Sequence, residues 1–182
     1  MSAKKISVLV GSLRKDSFNR KIANEVKKLA SSNLELEILD IGQLEYYNED
    51  IDQGNPPRQW KDFREKIKNS DGVLFFTPEY NRGLSAVLKN AIDVASRPYG
   101  QNNWAGKPGA VVSVSISSLG AFGANHDLRQ SMVFVDVPMM QQPEAYIGEA
   151  QNLFDDSGNL VDETKTFLKD FINAYEEWVN KF

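Results

Sequence analysis

Residues 6 to 19 have the sequence ISVLVGSLRKDSFN, which joins a strand pattern directly to the start of a helix. The first five residues are almost all apolar and rich in β-branched side chains, which is typical of a strand buried on both faces. Gly11 ends the run, and a helix pattern follows with Ile22, Val26 and Leu29 on one face. A buried strand followed by an amphipathic helix is the repeating unit of a parallel α/β sheet.

The same alternation continues along the whole chain. Apolar runs predict strands at residues 6–10, 34–38, 73–77, 110–114 and 135–139. Helical spacing predicts helices at residues 17–31, from 57 to about 68, at 84–95, from 123 to 132 and at 162–182. Asn55 is a candidate cap for the second helix. The polar stretch 42–57 is too long for a simple turn and predicts a surface excursion.

The strand order follows from which strands look like sheet edges. The second strand, Leu34-Glu35-Leu36-Glu37-Ile38, alternates apolar and acidic residues, and the fifth contains Pro138. The third, Val73-Leu74-Phe75-Phe76, is apolar throughout and belongs inside the sheet. The order 2-1-3-4-5 satisfies all three, whereas 3-2-1-4-5 would place the third strand at an edge. We therefore predict a five-stranded parallel sheet of order 2-1-3-4-5 in a single domain, residues 1–182.

Composition excludes several kinds of site and partner. The chain has no cysteine and one histidine, His126, which excludes a disulfide framework, a thiolate metal site and a multi-histidine metal site. A formal net charge of −4 argues against binding to nucleic acid through phosphate neutralisation. The longest apolar runs are too short for a membrane span or a signal peptide. We therefore expect a cytoplasmic protein with no metal site.

The loop after the first strand, residues 11–19, is the strongest candidate for a binding site. It leads into a helix N-terminus, where free amides and the helix dipole favour an anion. Ser12, Ser17 and Asn19 add short polar groups, and Arg14 adds a positive charge. The loop matches neither the G-x-G-x-x-G turn nor the G-x-x-x-x-G-K-[ST] loop, so a terminal monophosphate fits better than a dinucleotide or ATP. The alternative is that Ser17 only caps the helix and Arg14 is solvated.

Two further loops follow the carboxyl ends of the third and fourth predicted strands and therefore lie at the same edge of the sheet. In open α/β sheets, ligands bind at this edge. Residues 77–83 contain a proline, Tyr80 and Asn81, and could either hold a planar ring or form an ordinary turn. Residues 115–123 contain hydroxyls and two glycines, which allow close approach of a ligand or form a flexible connector. The lone His126 is more typical of a structural role.

Together these loops resemble a known family. The pattern Gly11-Ser12-Leu13-Arg14-x-x-Ser17-x-Asn19, then Pro78-Glu79-Tyr80-Asn81, then Leu88-Lys89-Asn90-Ala91-Ile92-Asp93 is similar to the NADPH-dependent FMN reductases. Tyr47-Asn48-x-Asp50 also matches. This family includes flavodoxin-like quinone, chromate and azo-dye reductases. The resemblance covers most of the chain and implies a flavodoxin-like three-layer sandwich.

The resemblance also implies cofactors and the residues that bind them. FMN and NADPH are the implied cofactors. The implied FMN-binding residues are Ser12, Leu13, Arg14, Ser17, Phe18 and Asn19 around the phosphate, Pro78, Glu79, Tyr80 and Asn81 along the isoalloxazine, and Ser117 and Gly120 from the third loop. Arg14 and Arg82 are candidates for contacting the 2′-phosphate of NADPH.

The implied activity is an FMN-dependent NAD(P)H oxidoreductase. Hydride would pass from NADPH through flavin N5 to flavin, quinone, azo or similar acceptors by a ping-pong mechanism, with the cofactor supplying the chemistry. A homodimer or homotetramer is also implied. Two alternatives remain. One is a non-enzymatic electron carrier like flavodoxin, although a net charge of −4 is small for a carrier that docks to its partners by charge. The other is a nucleoside transferase with Glu79 as nucleophile.

Overall fold

The computed structural model describes residues 2–155 and 157–182 and contains one five-stranded sheet. The strands are β1 (Lys4–Val10), β2 (Leu34–Leu39), β3 (Gly72–Thr77), β4 (Gly109–Val114) and β5 (Ala145–Ile147). The helices are α1 (Phe18–Leu29), α2 (Glu49–Asp52), α3 (Arg58–Lys68), α4 (Ala86–Ala95), α5 (Phe122–Phe134) and α6 (Asp162–Val179), with a short 3-10 helix at Ala150–Asn152.

All neighbouring strands of the sheet are parallel, in the order β2-β1-β3-β4-β5. This confirms the predicted order 2-1-3-4-5 and the flavodoxin-like fold class. Val10 pairs with Phe76, and Thr77 pairs with Ser113. This register aligns the carboxyl ends of β1, β3 and β4, so the loops that follow these three strands leave the sheet side by side.

Two buried clusters, one on each face of the sheet, produce the three layers. On one face, Val8 and Val10 pack with residues of α1 and α6 such as Ile22 and Phe171. On the other face, Leu9 packs with residues of α3, α4 and α5 that include Trp60, Leu88 and Leu128. Successive β1 residues point to opposite faces, and both faces are covered, which explains why this strand is apolar almost throughout.

The fifth strand was predicted in the wrong place. β5 is Ala145–Ile147 and pairs with Val112–Val114 of β4, whereas the predicted segment 135–139 makes only an isolated bridge between Met139 and Gly109. Val135 and Val137 of the predicted segment are buried in the cluster that Leu9 forms with α3, α4 and α5. The segment is therefore apolar because it packs under the sheet edge, and three residues of β5 are too few to show a strand period.

The polar stretch 42–57 lies largely at the surface and is held to the rest of the fold by specific side-chain contacts. Asn90 of α4 accepts from the backbone of Tyr47 at 2.8 Å and donates to the carbonyls of Leu44 and Glu45. Asp52 of α2 forms a buried two-point ion pair with Arg64 of α3, with both N–O distances 2.8 Å.

The start of α3 also differs from the prediction. Pro57 occupies the cap position of that helix, and no side chain caps it. Asn55 instead accepts a hydrogen bond from the Lys61 ammonium at 2.8 Å, so the prediction that Asn55 caps the helix was wrong.

Within the described ranges, no helix is both long and apolar enough to cross a membrane.

Candidate functional site

The three predicted loops meet at the carboxyl edge of β1, β3 and β4. Gly11 donates its backbone N–H to Phe76 at 2.8 Å, which ties the first loop to the end of β3. The Asn19 side chain donates from Nδ2 to the carbonyl of Val114 at 3.2 Å, which ties the start of α1 to the end of β4. The structure therefore brings all twelve predicted site residues to one edge of the sheet.

The first loop presents a row of hydrogen-bond donors. Ser12, Ser17 and Asn19 are buried, whereas Leu13 and Arg14 are exposed. Backbone N–H groups between residues 12 and 19 find no acceptor among the residues that the structure describes. These amides at the start of α1, together with the Arg14 guanidinium, form a surface suited to an anion.

Asn19 indicates that this surface is built for a ligand. Its Oδ1 is buried and has no hydrogen-bond partner within the described part of the chain, and only one of its two amide hydrogens is used. A buried polar atom without a partner costs roughly 1–3 kcal/mol unless a water or ligand satisfies it. The donor set of amides, hydroxyls and one guanidinium fits a phosphate group such as that of FMN.

Two members of the predicted phosphate set also have structural contacts. Ser17 caps α1, since its Oγ accepts from the backbone N–H of Arg20 at 3.1 Å. The Phe18 ring stacks on Phe154 with ring centroids 6.4 Å apart, and the Lys21 ammonium lies over it. Capping by Ser17, the alternative left open by the sequence, is thus present, and it leaves the loop amides free.

The second loop contains a tight two-residue turn. Tyr80 and Gly83 exchange backbone hydrogen bonds of 3.1 and 3.0 Å, and Asn81 and Arg82 between them have φ values of 52° and 67°. This is the pattern of a type I′ hairpin turn, which leaves the N–H groups of its central residues free. The Tyr80 ring is about half exposed, at 52%, and Pro78 is buried beneath the turn.

Glu79 is turned towards α5. Its Oε2 accepts from the backbone N–H of Ala124 at 3.0 Å, in the first turn of that helix, and its Oε1 lies 3.4 Å from the Arg82 guanidinium. A carboxylate at this position compensates the free amides and the dipole of the helix N-terminus. Its side chain is accordingly committed to the protein.

The third loop combines an exposed serine with a closely packed glycine. Ser117 lies exposed at the rim. Gly120 is buried with a φ of 57°, and a Cβ atom there would lie 2.7 Å from the Tyr146 backbone. Its carbonyl accepts from Ser113 Oγ at 2.6 Å. Only glycine fits this position, which fixes the course of the loop past β5.

A cleft of about 590 Å³ adjoins these loops on the α4 side of the sheet. Leu13, Arg14 and Tyr80 of the predicted set line it, together with the exposed Tyr46 and the buried Ser85. A second depression, of about 600 Å³, lies far from the loops, near the starts of β1 and β2, and is lined mostly by charged residues. The first cleft is therefore the one relevant to a site at these loops.

Two polar residues that support the site were not among the residues predicted from the sequence. Asn90 fixes the 44–47 backbone beside the cleft, and its signal was a polar side chain within the apolar stripe of α4. Asp127 of α5 accepts from the backbone N–H of Leu84 at 2.9 Å, just after the Tyr80–Gly83 turn. That contact joins residues 43 positions apart, and no local pattern could have revealed it.

His126 lies outside the loops, in an aromatic group on the surface. Its Nε2 lies 3.0 Å from the Tyr146 hydroxyl, and its ring packs against Phe122 with centroids 4.2 Å apart. The Tyr146 hydroxyl donates to Glu144 at 2.7 Å, and burial together with this carboxylate raises the pKa of Tyr146 to about 12. These contacts fit the structural role expected for His126.

Comparison with known proteins gives a consistent result. A family model described as NADPH-dependent FMN reductase matches residues 4–152. A quinone reductase from Pseudomonas putida is 59% identical over 174 residues, which cover 96% of this chain and 94% of the relative. A 2-hydroxy-1,4-benzoquinone reductase from a Burkholderia species is 43% identical over 97% of both chains.

Among solved structures, the flavoenzyme FerB, an NAD(P)H:(acceptor) oxidoreductase from Paracoccus denitrificans, superposes with a TM-score of 0.92 at 43% identity over 98% of both chains. These similarities confirm the predicted family, enzyme class and cofactors, FMN and NADPH, and favour an enzyme over an electron carrier. The roles of individual residues stay predictions. The chain belongs to the NADPH-dependent FMN reductase family.

Proposed function

We propose that the protein is an FMN-dependent NAD(P)H oxidoreductase that reduces quinones and related flat acceptors. The donor-lined loop 12–19, whose backbone N–H groups find no acceptor among the described residues, is the observation that supports this proposal most strongly. When bound, FMN would accept a hydride from NADPH and pass the electrons on. The protein's own part is to bind and orient the two substrates.

The residues divide this work between the loops. Ser12, Ser17, Asn19 and the loop amides would bind the phosphate, with Arg14 supplying the opposing charge. The free N–H groups of the Tyr80–Gly83 turn would bind polar atoms of the flavin ring. Because these donors are preorganised, they would stabilise negative charge on the ring without reorganising at the moment of reaction.

The acceptor would bind in the cleft on the α4 side. Tyr46 and Tyr80 are 76% and 52% exposed there, and Leu13 adds apolar surface. Aromatic side chains that border an open cleft can stack on flat rings without selecting one substitution pattern. The P. putida and Burkholderia relatives are both named as quinone reductases, which supports quinones as the substrate class.

We also propose that the protein forms homo-oligomers through the outer face of α5. Phe122, Val133 and Phe134 of this helix are 52%, 79% and 76% exposed. Other apolar residues of α5, such as Leu128 and Met132, are already buried in the core. Exposed apolar surface of this kind is typical of a protein interface. A homodimer or homotetramer would bury it, and Phe134→Asp should lower the assembly state in sedimentation experiments; an unchanged mass would contradict this interface.

Two further expectations stay proposals. The single sheet and the two clusters that flank it support one domain for residues 1–182. The second expectation is that the protein is located in the cytoplasm.

The activity is tested by spectroscopy of the purified protein. We expect FMN to bind and to show flavin absorbance, NADPH to bleach that absorbance under anaerobic conditions, and a quinone to restore it. A protein that binds no FMN, or whose bound FMN is not reduced by NADPH, would contradict the proposal. A protein that is reduced but passes no electrons to quinones would retain the cofactor assignment and exclude the acceptor class.

The transferase alternative is tested by one substitution. If Glu79 were a nucleophile, Glu79→Gln would abolish activity, because an amide cannot replace the attacking carboxylate. As a helix-capping group, Glu79 can be replaced by glutamine, whose oxygen still accepts from Ala124. We therefore expect Glu79→Gln to retain most of the NADPH–quinone rate.

A further inference from the structure

The Tyr80–Gly83 turn adopts a conformation that its sequence does not favour by itself. Two successive non-glycine residues, Asn81 and Arg82, have positive φ values of 52° and 67°. Asparagine tolerates this region, but arginine has a Cβ penalty there, and the one local contact of its guanidinium among the described residues is with Glu79 Oε1 at 3.4 Å. Residues in such strained conformations persist only where surrounding contacts hold them.

Two carboxylates join this turn to helix α5, and we call Glu79 and Asp127 the carboxylate pair. Glu79 lies just before the turn and accepts from the Ala124 N–H of α5 at 3.0 Å. Asp127 lies one turn further along α5 and accepts from the Leu84 N–H, just after the turn, at 2.9 Å. Both ends of the turn are thus hydrogen-bonded to the same helix. At one end the carboxylate belongs to the turn segment, and at the other end it belongs to α5.

Close packing leaves little room for the turn to shift. A Cβ atom on Gly83 would lie 3.1 Å from Asp127 Oδ2, and one on Gly123 would lie 2.9 Å from both Glu79 Oε2 and the Arg82 carbonyl. Each carboxylate therefore sits against a glycine that allows its approach.

We propose that Asp127 and Glu79 are positioning residues of the flavin site. They hold the strained turn in the conformation that leaves the N–H groups of Asn81 and Arg82 free to bind a ligand. This inference rests on the proposed function, because it assumes that FMN is that ligand. Neither carboxylate needs to touch FMN, and their effect on binding would pass through the turn.

The hydrogen bonds require an acceptor rather than a charge. In Asp127→Asn an amide oxygen can still accept from Leu84, whereas Asp127→Ala removes the acceptor and leaves that N–H unpaired. Asp62→Ala is the matched control, because Asp62 is an exposed aspartate of α3 whose one ion-pair partner among the described residues is the exposed Arg58.

FMN affinity of the whole protein is the first measurement, by quenching of free FMN fluorescence. We expect Asp127→Ala to raise the Kd about tenfold, the effect of losing one hydrogen bond that holds the turn. Asp127→Asn and Asp62→Ala should stay within about threefold of the parent protein. An unchanged Kd in a folded Asp127→Ala protein would overturn the proposal, as would equal losses in Asp127→Asn and Asp127→Ala.

A rescue experiment separates positioning of the turn from a general structural effect. Arg82→Gly creates an Asn-Gly turn, which adopts the same two-residue geometry without strain. If Asp127 acts by holding the turn, Arg82→Gly should restore most of the FMN affinity lost in Asp127→Ala, and the coupling should be visible in a double-mutant cycle. Additive effects of the two substitutions would contradict the proposal.

The outcomes also separate this inference from the proposed function. Should the parent protein fail to bind FMN, the proposed function itself fails. Should the parent bind FMN and be reduced by NADPH while Asp127→Ala behaves identically, only the positioning role fails. If Asp127→Ala does not fold, the comparison of Asp127→Asn with Glu79→Gln and Glu79→Ala provides the same test, with only the alanine variant expected to lose affinity.

Discussion

Ser17 and Ser85 occupy the same position at the start of a helix, but only Ser17 caps it. The Ser17 hydroxyl accepts from Arg20, whereas Ser85 Oγ is buried and has no partner among the described residues. We expect Ser17→Ala to lower the free energy of unfolding by about 1 kcal/mol. Urea denaturation of the protein without added FMN measures this effect.

Ser85→Ala is the matched comparison. Removal of a buried hydroxyl that makes no hydrogen bond should change the free energy of unfolding by less than about 0.5 kcal/mol, or raise it. A loss in Ser85→Ala as large as that in Ser17→Ala would mean that Ser85 has a partner in solution, for example a bound water.

Tyr146 predicts an alkaline limit to stability. Burial and the nearby Glu144 raise the pKa of its hydroxyl to about 12 from the ordinary 10.0. Since the folded state holds this proton more tightly than the unfolded chain, the stabilisation is complete below about pH 10 and is lost as the pH rises to about 12. Burial also raises the pKa of Tyr175. Ionisation of Tyr175 would therefore also destabilise the fold as the pH rises.

The test is Tyr146→Phe. The variant should lose stability less steeply between about pH 10 and 12, because one of the tyrosine hydroxyls with a raised pKa is gone. Denaturation midpoints across this range measure the slope. An identical slope in parent and variant would exclude Tyr146 as a contributor.

At single positions, the sequence predicted what local pattern encodes. Ser12, Ser17 and Asn19 could be singled out because a strand, a loop and a helix start follow one another directly in the chain. Asp127 could not be, because its partner Leu84 is distant in sequence and an aspartate inside a helix is ordinarily a solvated residue. Glu79 was predicted in the right loop, but only the structure shows its carboxylate facing α5.

Among the secondary-structure elements, α2 depends on one buried ion pair. The side chains of Asp52 and Arg64 are 2% and 13% exposed, and Arg64 also donates to the Val94 carbonyl at 2.8 Å. We expect Asp52→Ala to cost about 3 kcal/mol, because it leaves a guanidinium buried without its counter-ion. Urea denaturation measures the loss, and proteolysis within 42–57 should become faster.

The pair formed by Lys66 and Glu37 serves as the control. Both side chains are 55% exposed, and the N–O distance is the same 2.8 Å. Solvent screening makes such pairs weak, so Lys66→Ala should leave the denaturation midpoint nearly unchanged. Similar losses in Asp52→Ala and Lys66→Ala would show that burial does not determine the strength of these ion pairs.

Strand and helix types were predictable wherever the apolar period was long enough. Strands β1 to β4 and helix α6 were predicted close to their observed bounds. The fifth strand was placed at 135–139 because that run is apolar, although its residues are buried against helices. Burial against a helix and burial in a sheet leave the same apolar signal in a short segment, and only tertiary packing distinguishes them.

On the scale of the whole molecule, cofactor binding should stabilise the fold. FMN would contact loops that follow β1, β3 and β4 and would therefore join segments distant in the chain. At a concentration about 100 times the Kd, a ligand that binds only the folded state adds about 2.7 kcal/mol. Calorimetry should show a melting temperature that rises with FMN concentration; riboflavin, which lacks the phosphate, should give a much smaller rise.

The strand order was predictable because polarity marks the sheet edges. Leu34–Leu39 alternates buried and exposed residues, as expected for an edge strand, whereas Gly72–Thr77 is buried throughout. The contacts that attach 42–57 to the fold were not predictable. They depend on Asn90 of α4 and Arg64 of α3, which meet that segment through tertiary packing that no local pattern encodes.

A crystal structure of the protein bound to FMN would test whether the first strand–helix junction is the phosphate site. We expect the phosphate within hydrogen-bond distance of the amides of residues 12–19 and of the Ser12, Ser17 and Asn19 side chains, with the ring beside the Tyr80–Gly83 turn. A phosphate bound elsewhere, with the amides of residues 12–19 still without an acceptor, would contradict this assignment.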